Sequence, residues 1–200
     1  MKQHTIVSDF QSEHTLVTEL RSEHTIKMMS FDVSSRSTGA SLFLNGIYYT
    51  SFLLKADSAT EQKKQLWDFL DKHDPDIIVV ERPTVLRNAK TQSVLDRLVG
   101  VLEWWAIFQS KNKEVDFVEY RPNEWRSLVK SKEEKLPKKR KELKEWANAR
   151  ACLLVKSEYD PISIETEDSF RFSIETEDDI SESILIGYAR LVESGITSVS

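Results

Sequence analysis

Met28-Met29-Ser30-Phe31-Asp32-Val33-Ser34-Ser35-Arg36-Ser37-Thr38-Gly39 is the stretch from which the rest of the chain is read. Its first part predicts a strand over residues 26–33 that carries a carboxylate, Asp32, near its end. Its second part is turn chemistry, and two more strands follow at 40–44 and 48–54. Asn45-Gly46 joins them, a dipeptide that tolerates the positive φ a tight hairpin needs. The opening is therefore three antiparallel strands.

Beyond it the pattern alternates. Ala59 to His73 predicts a helix with Leu66, Phe69 and Leu70 inward, stopped before Pro75. Ile77-Ile78-Val79-Val80-Glu81 is an aliphatic run of the kind that fills a buried parallel strand, closed by Pro83. Residues 91–109 predict a helix, because Val94, Leu95, Leu98, Val99, Leu102, Trp105 and Ala106 recur at three- and four-residue spacing. A strand follows at 115–120, then a short helix opened by Pro122, a long one from Pro137 toward Val155, and a last one at 179–193. An antiparallel start followed by helix–strand alternation predicts a mixed α/β sheet.

Four acids stand where a charge is costly without a purpose. Asp32 and Glu81 interrupt apolar strands, and Asp179 and Glu182, three apart, share one face of a helix if Ile184 to Val192 is one. A buried carboxylate needs a partner or a metal ion. Four of them without a matching arginine cluster point to divalent cations and phosphoryl chemistry. Each also has a plainer account: Asp32 capping the turn at 34–39, Glu81 paired with Arg82 or Arg87, and Asp179 and Glu182 complementing a helix N-terminus. Asp178 competes with Asp179 for the same role.

Composition is compatible with an enzyme. Two hundred residues, 40% hydrophobic and 30% charged, predict one soluble domain. Cys152 is the single cysteine, so an internal disulfide and a thiolate zinc site are excluded and a reducing, intracellular setting is expected. No apolar run reaches the ~18 residues of a membrane span, and no signal core opens the chain. The net charge of −5 conceals a segregation: eight Lys/Arg against three Glu over 130–144, and ten acids against Arg171 over 158–182. A basic segment beside an acidic metal site suits a nuclease. It also describes an ordinary solvated helix face.

Two duplications stand outside this pattern. Residues 1–27 hold a ten-residue repeat, marked by His4, His14 and His24, that is too short to stack as a solenoid. The three histidines share a strand face with no second ligand type, so a mobile or loosely docked extension over 1–27 is expected, with the domain occupying 28–200. Ser163-Ile164-Glu165-Thr166-Glu167-Asp168 recurs as Ser173-Ile174-Glu175-Thr176-Glu177-Asp178, an acidic surface insertion at 159–178.

In sequence order, four pieces resemble the RuvC-type Holliday junction resolvases. Asp32 to Gly39 looks like their first-strand signature, and Ile78-Val79-Val80-Glu81 like their second acidic strand. Asp179-Ile180-Ser181-Glu182 resembles the opening of their last helix. Arg121-Pro122-Asn123-Glu124-Trp125-Arg126 and Lys138-Lys139-Arg140-Lys141-Glu142-Leu143-Lys144 look like the phage-encoded branch. The resemblance implies a ribonuclease H-like fold, with a mixed five-stranded sheet of three antiparallel and then parallel strands flanked by helices. It implies a homodimer that nicks four-way DNA junctions with Mg²⁺, Mn²⁺ substituting, in the cytoplasm of a bacterial or virus-infected host cell. Asp32, Glu81, Asp179 and Glu182 would be the metal ligands, although Glu182 stands where the family usually has Asp. Ser35, Arg36 and Thr38 would meet a phosphate near the metals. Arg87 and Lys90 would reach DNA at the junction centre, and Lys138, Lys139, Arg140 and Lys141 would meet backbone phosphates. Trp104 and Trp105 read as core, any exposed part forming a dimer seam.

Two other functions compete. One is a ribonuclease H acting on RNA–DNA hybrids; the other is a catalytically silent junction-binding protein of the same fold. An actin-like ATPase is excluded by length and by the lack of a second Asp-x-Gly loop.

Overall fold

The computed structural model describes residues 25–84, 88–109, 112–158 and 178–197. Most of the N-terminal repeat, Arg87, and the insertion up to residue 177 lie outside them. Five strands, β1 Lys27–Asp32, β2 Ser37–Leu44, β3 Ile47–Lys55, β4 Ile77–Glu81 and β5 Asp116–Tyr120, form one sheet in the order β3-β2-β1-β4-β5. β1, β2 and β3 pair antiparallel, while β4 runs parallel to both β1 and β5. The mixed sheet is the one expected from the sequence. Asn45 (φ 51°) and Gly46 (φ 82°) both take the left-handed conformation at the β2–β3 turn, as a primed hairpin turn requires.

Among the described residues five helices cover the sheet: α1 Ala59–His73, α2 Ala89–Gln109, α3 Pro122–Val129, α4 Arg140–Glu158 and α5 Asp178–Glu193. Strand alternation sends Met29, Phe31, Ala40, Leu42, Ile78 and Val80 into a core under α1 and α2, where Leu66, Leu70, Leu102 and Trp105 are fully buried. Met28, Phe43, Val79 and Tyr120 go to the opposite face, where they pack with Trp125, Val129, Ala147, Ala151 and the inner side of α5. Asp32 and Glu81 keep the parity of Met28 and Val79, so both carboxylates project on the α3–α5 face.

Pro137 does not start α4. The helix begins at Arg140, with the Leu143 amide donating to the Lys139 carbonyl at 2.9 Å, which leaves Lys138 and Lys139 ahead of it. α5 is buried along most of its length and crosses β1 and β2 closely. At Gly39, the β2 residue opposite Asp32, an added Cβ would stand 1.9 Å from the Asp179 carbonyl oxygen. Only glycine lets the first turn of α5 approach the end of β1. Among the described residues, no helix is long and apolar enough to cross a membrane.

Candidate active site

Asp32 and Glu81 end adjacent parallel strands, whose register sets Phe31 opposite Val80. They stand at the carboxyl edge of the sheet, where α/β proteins place ligands. The N-terminal end of α5, seated on Gly39, adds Asp179 and Glu182. A cavity of about 550 Å³ opens there, lined by Asp32, Glu81, Asp178, Asp179 and Glu182 and by the cations Arg126, Arg140 and Lys144.

Three of the four acids are held by named donors. Ser37 Oγ donates to Asp179 Oδ2, and the Ser37 amide in turn donates to Ser34 Oγ at 3.1 Å. The Trp125 indole Nε1 donates to Glu81 Oε2 at 2.6 Å. Arg126 Nη2 lies 3.7 Å from Glu182 Oε1 and 4.0 Å from Glu81 Oε2. Asp32 has no hydrogen-bonded or ion-paired partner among the described residues. Asp178 is drawn away by Lys144 Nζ and Asn148 Nδ2.

Protonation follows this geometry. Asp32 keeps some surface as a residue, yet its carboxyl sits deep enough that desolvation leads in pushing its pKa well up. Glu182, Glu81 and Asp179 push the same way, and Arg126 opposes them. Burial raises Glu81 to about 6 against the indole hydrogen bond that lowers it, with Glu182 adding repulsion and Arg126 relief. Glu182 is also raised, by burial first, while Arg126 and Lys144 pull it down and Asp179 and Asp178 push it up. Carboxylates that repel one another in a desolvated site bind protons or cations more readily. Asp179, not Asp178, is among the charges felt by Asp32.

The donor set is all carboxylate oxygen, the chemistry that suits Mg²⁺. As the side chains stand, no three His, Cys, Asp or Glu residues among those described are spaced to hold one ion. Ser37, Trp125 and Arg126 each hold an oxygen that a cation would compete for.

The other sequence-expected residues divide. Thr38 is corrected: it is fully buried, and its hydroxyl accepts from Gln62 Nε2 of α1 at 3.0 Å. It shares the parity of Ala40 and Leu42, so it points to the opposite face from Asp32 and cannot touch DNA. Ser35 and Arg36 are exposed but do not line the cavity; Ser34 does. Lys90 is exposed at the start of α2. Arg140 lines the cavity, whereas Lys138, Lys139 and Lys141 do not. Arg87 lies outside the described residues, among which Glu81 pairs not with Arg82 but with Trp125 and Arg126, two residues the sequence reading placed only within a motif. Their signal is faint: a charged residue beside an inward Trp on a short helix that directly follows a parallel strand.

No protein-family model matches this chain, and no curated protein matches its sequence. Solved structures do match. T. thermophilus RuvC in complex with a Holliday junction substrate is similar over 86% of this chain and 98% of its own, with TM-score 0.59 and 10% identity. The fold is ribonuclease H-like. Fowlpox virus resolvase, solved with its substrate Holliday junction DNA, has TM-score 0.57 and 11% identity over 86% of this chain and 100% of its own. The yeast mitochondrial Holliday junction resolvase gives 0.55 and 13% over 84% and 80%. The ribonuclease H-like sheet accounts for the site's position: its two central parallel strands end on Asp32 and Glu81.

Proposed function

We propose that this protein is a divalent-metal-dependent endonuclease that resolves four-way DNA junctions. The observation that carries the reading is the cavity, whose acidic floor of Asp32, Glu81, Asp179 and Glu182 meets a basic wall of Arg126, Arg140 and Lys144. Its setting in a fold shared with three junction resolvases supports the substrate class. Two uses of one cavity are thereby joined: holding cations at the floor and phosphates at the wall.

Asp32, Glu81, Asp179 and Glu182 would hold Mg²⁺, or Mn²⁺ in its place. Such ions activate water and stabilise charge on the leaving 3′ oxygen in phosphodiester hydrolysis. The chain's own residues do the rest. Ser37 orients Asp179, and Arg126 limits the repulsion between Glu81 and Glu182. Arg140 and Lys144 would bind backbone phosphates without reading base edges. A homodimer belongs to the same proposal, packed through the exposed Trp104, Ile107 and Phe108 of α2.

The test is cleavage of a four-way junction beside a matched duplex and an RNA–DNA hybrid, with and without Mg²⁺. Metal-dependent, paired nicking of the junction alone is expected. Preferential cutting of the hybrid would make the protein a ribonuclease H. Junction binding without cutting in any metal would make it a silent binder.

A further inference from the structure

A pair of indoles joins the acidic floor to the basic helix. Trp125 of α3 is fully buried, and its Nε1–H donates to Glu81 Oε2 at 2.6 Å. Its ring stacks on Trp146 of α4, with centroids 6.4 Å apart and planes inclined by 25°. Trp146 Nε1 donates in turn to Glu134 Oε1 at 2.6 Å, and Glu134 Oε2 accepts from the Ser131 amide at 3.1 Å. The Arg126 guanidinium lies 4.6 Å from the Trp125 ring centroid. One uninterrupted line of contacts thus runs from the end of β4 to α4, and α4 also carries Arg140 and Lys144 into the cavity.

We infer that Trp125 is a positioning residue for Glu81, and that its stack on Trp146 makes the orientation of that carboxylate depend on the seat of α4. The inference rests on the proposed function, in which Glu81 serves the cut and α4 meets phosphates. An indole donates along one direction in its ring plane, so whatever fixes the plane fixes the carboxylate it holds. Here Trp146 packs against that plane. Both contacts of Glu81, from Trp125 and from Arg126, fall on Oε2. Oε1 therefore remains free of protein donors among the described residues. A neutral N–H steers the carboxylate without cancelling the charge that a cation needs. Phosphates that draw on Arg140 and Lys144 shift or stiffen α4, and the stacked rings carry that change to Glu81.

The fold supplies its own control. Trp105 Nε1 donates to Asp71 Oδ1, also at 2.6 Å, on the opposite face of the sheet. Trp105→Phe and Trp125→Phe therefore delete the same bond with the same loss of atoms, and only the second frees a carboxylate that lines the cavity. Three quantities are measured on each variant: melting temperature, junction affinity in EDTA, and single-turnover cleavage at saturating protein. In Trp125→Phe the rate should fall about 10–100-fold, the usual cost of losing a group that orients a ligand. Affinity should stay within about twofold, so the loss falls on the rate and not on binding. Trp105→Phe should cost similar stability and leave the rate within about threefold. Equal rate losses in the two variants would overturn the inference.

A second readout does not depend on cleavage. The Trp125 indole N–H resonance should move on Glu81→Gln, and move again when the junction is added to the wild-type protein in EDTA. Trp146→Leu should abolish the second movement. A resonance indifferent to Glu81→Gln removes the positioning role, and one that still responds to junction in Trp146→Leu removes the coupling. If the wild-type protein leaves the junction uncut, the nuclease reading fails, and these resonances alone decide whether the indoles orient Glu81.

Discussion

The two faces of the sheet use the same interaction for different ends. Under α1 and α2, Trp105 donates to Asp71 beside a continuous apolar core, and the carboxylate lies at the rim of a packed layer. Under α3, α4 and α5, Trp125 donates to Glu81 beside three other acids and a 550 Å³ cavity. The first face is closed by hydrophobic contact and neutral donors, the Gln62 amide on Thr38 and the Trp105 indole on Asp71. The second buries like charges that raise one another's pKa, an arrangement that costs stability and is of the kind that clusters at functional sites. Both faces carry an apolar core, but the carboxylate cluster lies on one alone, so variants at that cluster and in the opposite core should behave differently.

The largest contrast should come from Asp32→Asn. It removes the carboxylate that faces all three others, so cleavage should fall by at least about 10³-fold, or ~4 kcal/mol of transition-state stabilisation. Junction binding should hold or tighten, because the variant also lessens repulsion of phosphate. Activity within a few fold of wild type would dissolve the distinction between the faces. Leu66→Ala, in the opposite core, should do the reverse: it should cost about 2–5 kcal/mol of stability and leave the per-molecule cleavage rate intact below its melting temperature.

Gly39→Ala probes the contact that brings the two halves of the acidic floor together. The new Cβ would stand 1.9 Å from the Asp179 carbonyl, so the first turn of α5 must move. Overpacking of this kind costs about 1–3 kcal/mol or more, and the displacement carries Asp179 and Glu182 with it. Both melting temperature and cleavage should drop. A loss of stability with full cleavage would mean that the position of Asp179 is not critical.

Much of this was legible in the sequence because it is periodic or local. β1 through β5, α1, α2 and α5 follow from alternation and helical spacing, and Asn45-Gly46 marks the hairpin. Asp32, Glu81, Asp179 and Glu182 stand out as charges in apolar runs, and the fold brings them to one cavity. What was not legible depends on contacts between distant segments. Trp125 and Arg126 matter because α3 is laid over the end of β4, 44 residues earlier in the chain. Ser37 matters because α5 comes back to it from 142 residues away. Thr38 misled for a different reason: membership in a motif says nothing about facing, and a strand reverses side at every residue. Pro137 was a plausible first helical residue, but the helix waits until Arg140.

A smaller effect separates the faces by pH. Glu81 has a pKa of about 6 in the folded protein against an ordinary 4.5, so between those values the folded protein binds a proton that the unfolded chain has released. Its contribution to stability is complete below about 4.5 and is lost as pH rises through 6, a change of about 2 kcal/mol. In EDTA at neutral pH, Glu81→Gln should therefore melt higher than wild type by about 4–8 °C. The gain should vanish near pH 4.5, where wild-type Glu81 is itself protonated. Mg²⁺ should narrow or reverse the difference by stabilising only the protein that binds it. A destabilised Glu81→Gln at neutral pH would show that Arg126 and Trp125 outweigh burial and repulsion.

The smallest effect concerns single cations in the basic run. Lys139 and Lys141 are 81% and 89% exposed, and each already faces an acid: Glu142 at 2.9 Å and Glu145 at 3.7 Å. Such exposed pairs contribute little to stability, but they offset the positive charge that a passing phosphate would meet. Arg140 lines the cavity instead. Removing a cation that neutralises one phosphate should flatten the log–log dependence of binding on salt by about 0.9, so Arg140→Ala should approach that value. Lys139→Ala and Lys141→Ala should fall well short of it, because each lysine's charge is already shared with Glu142 or Glu145. Replacing Lys138, Lys139, Arg140 and Lys141 together should weaken all DNA alike, with a slope change nearer that of one phosphate than of four. An unchanged slope would assign the whole run to solvent.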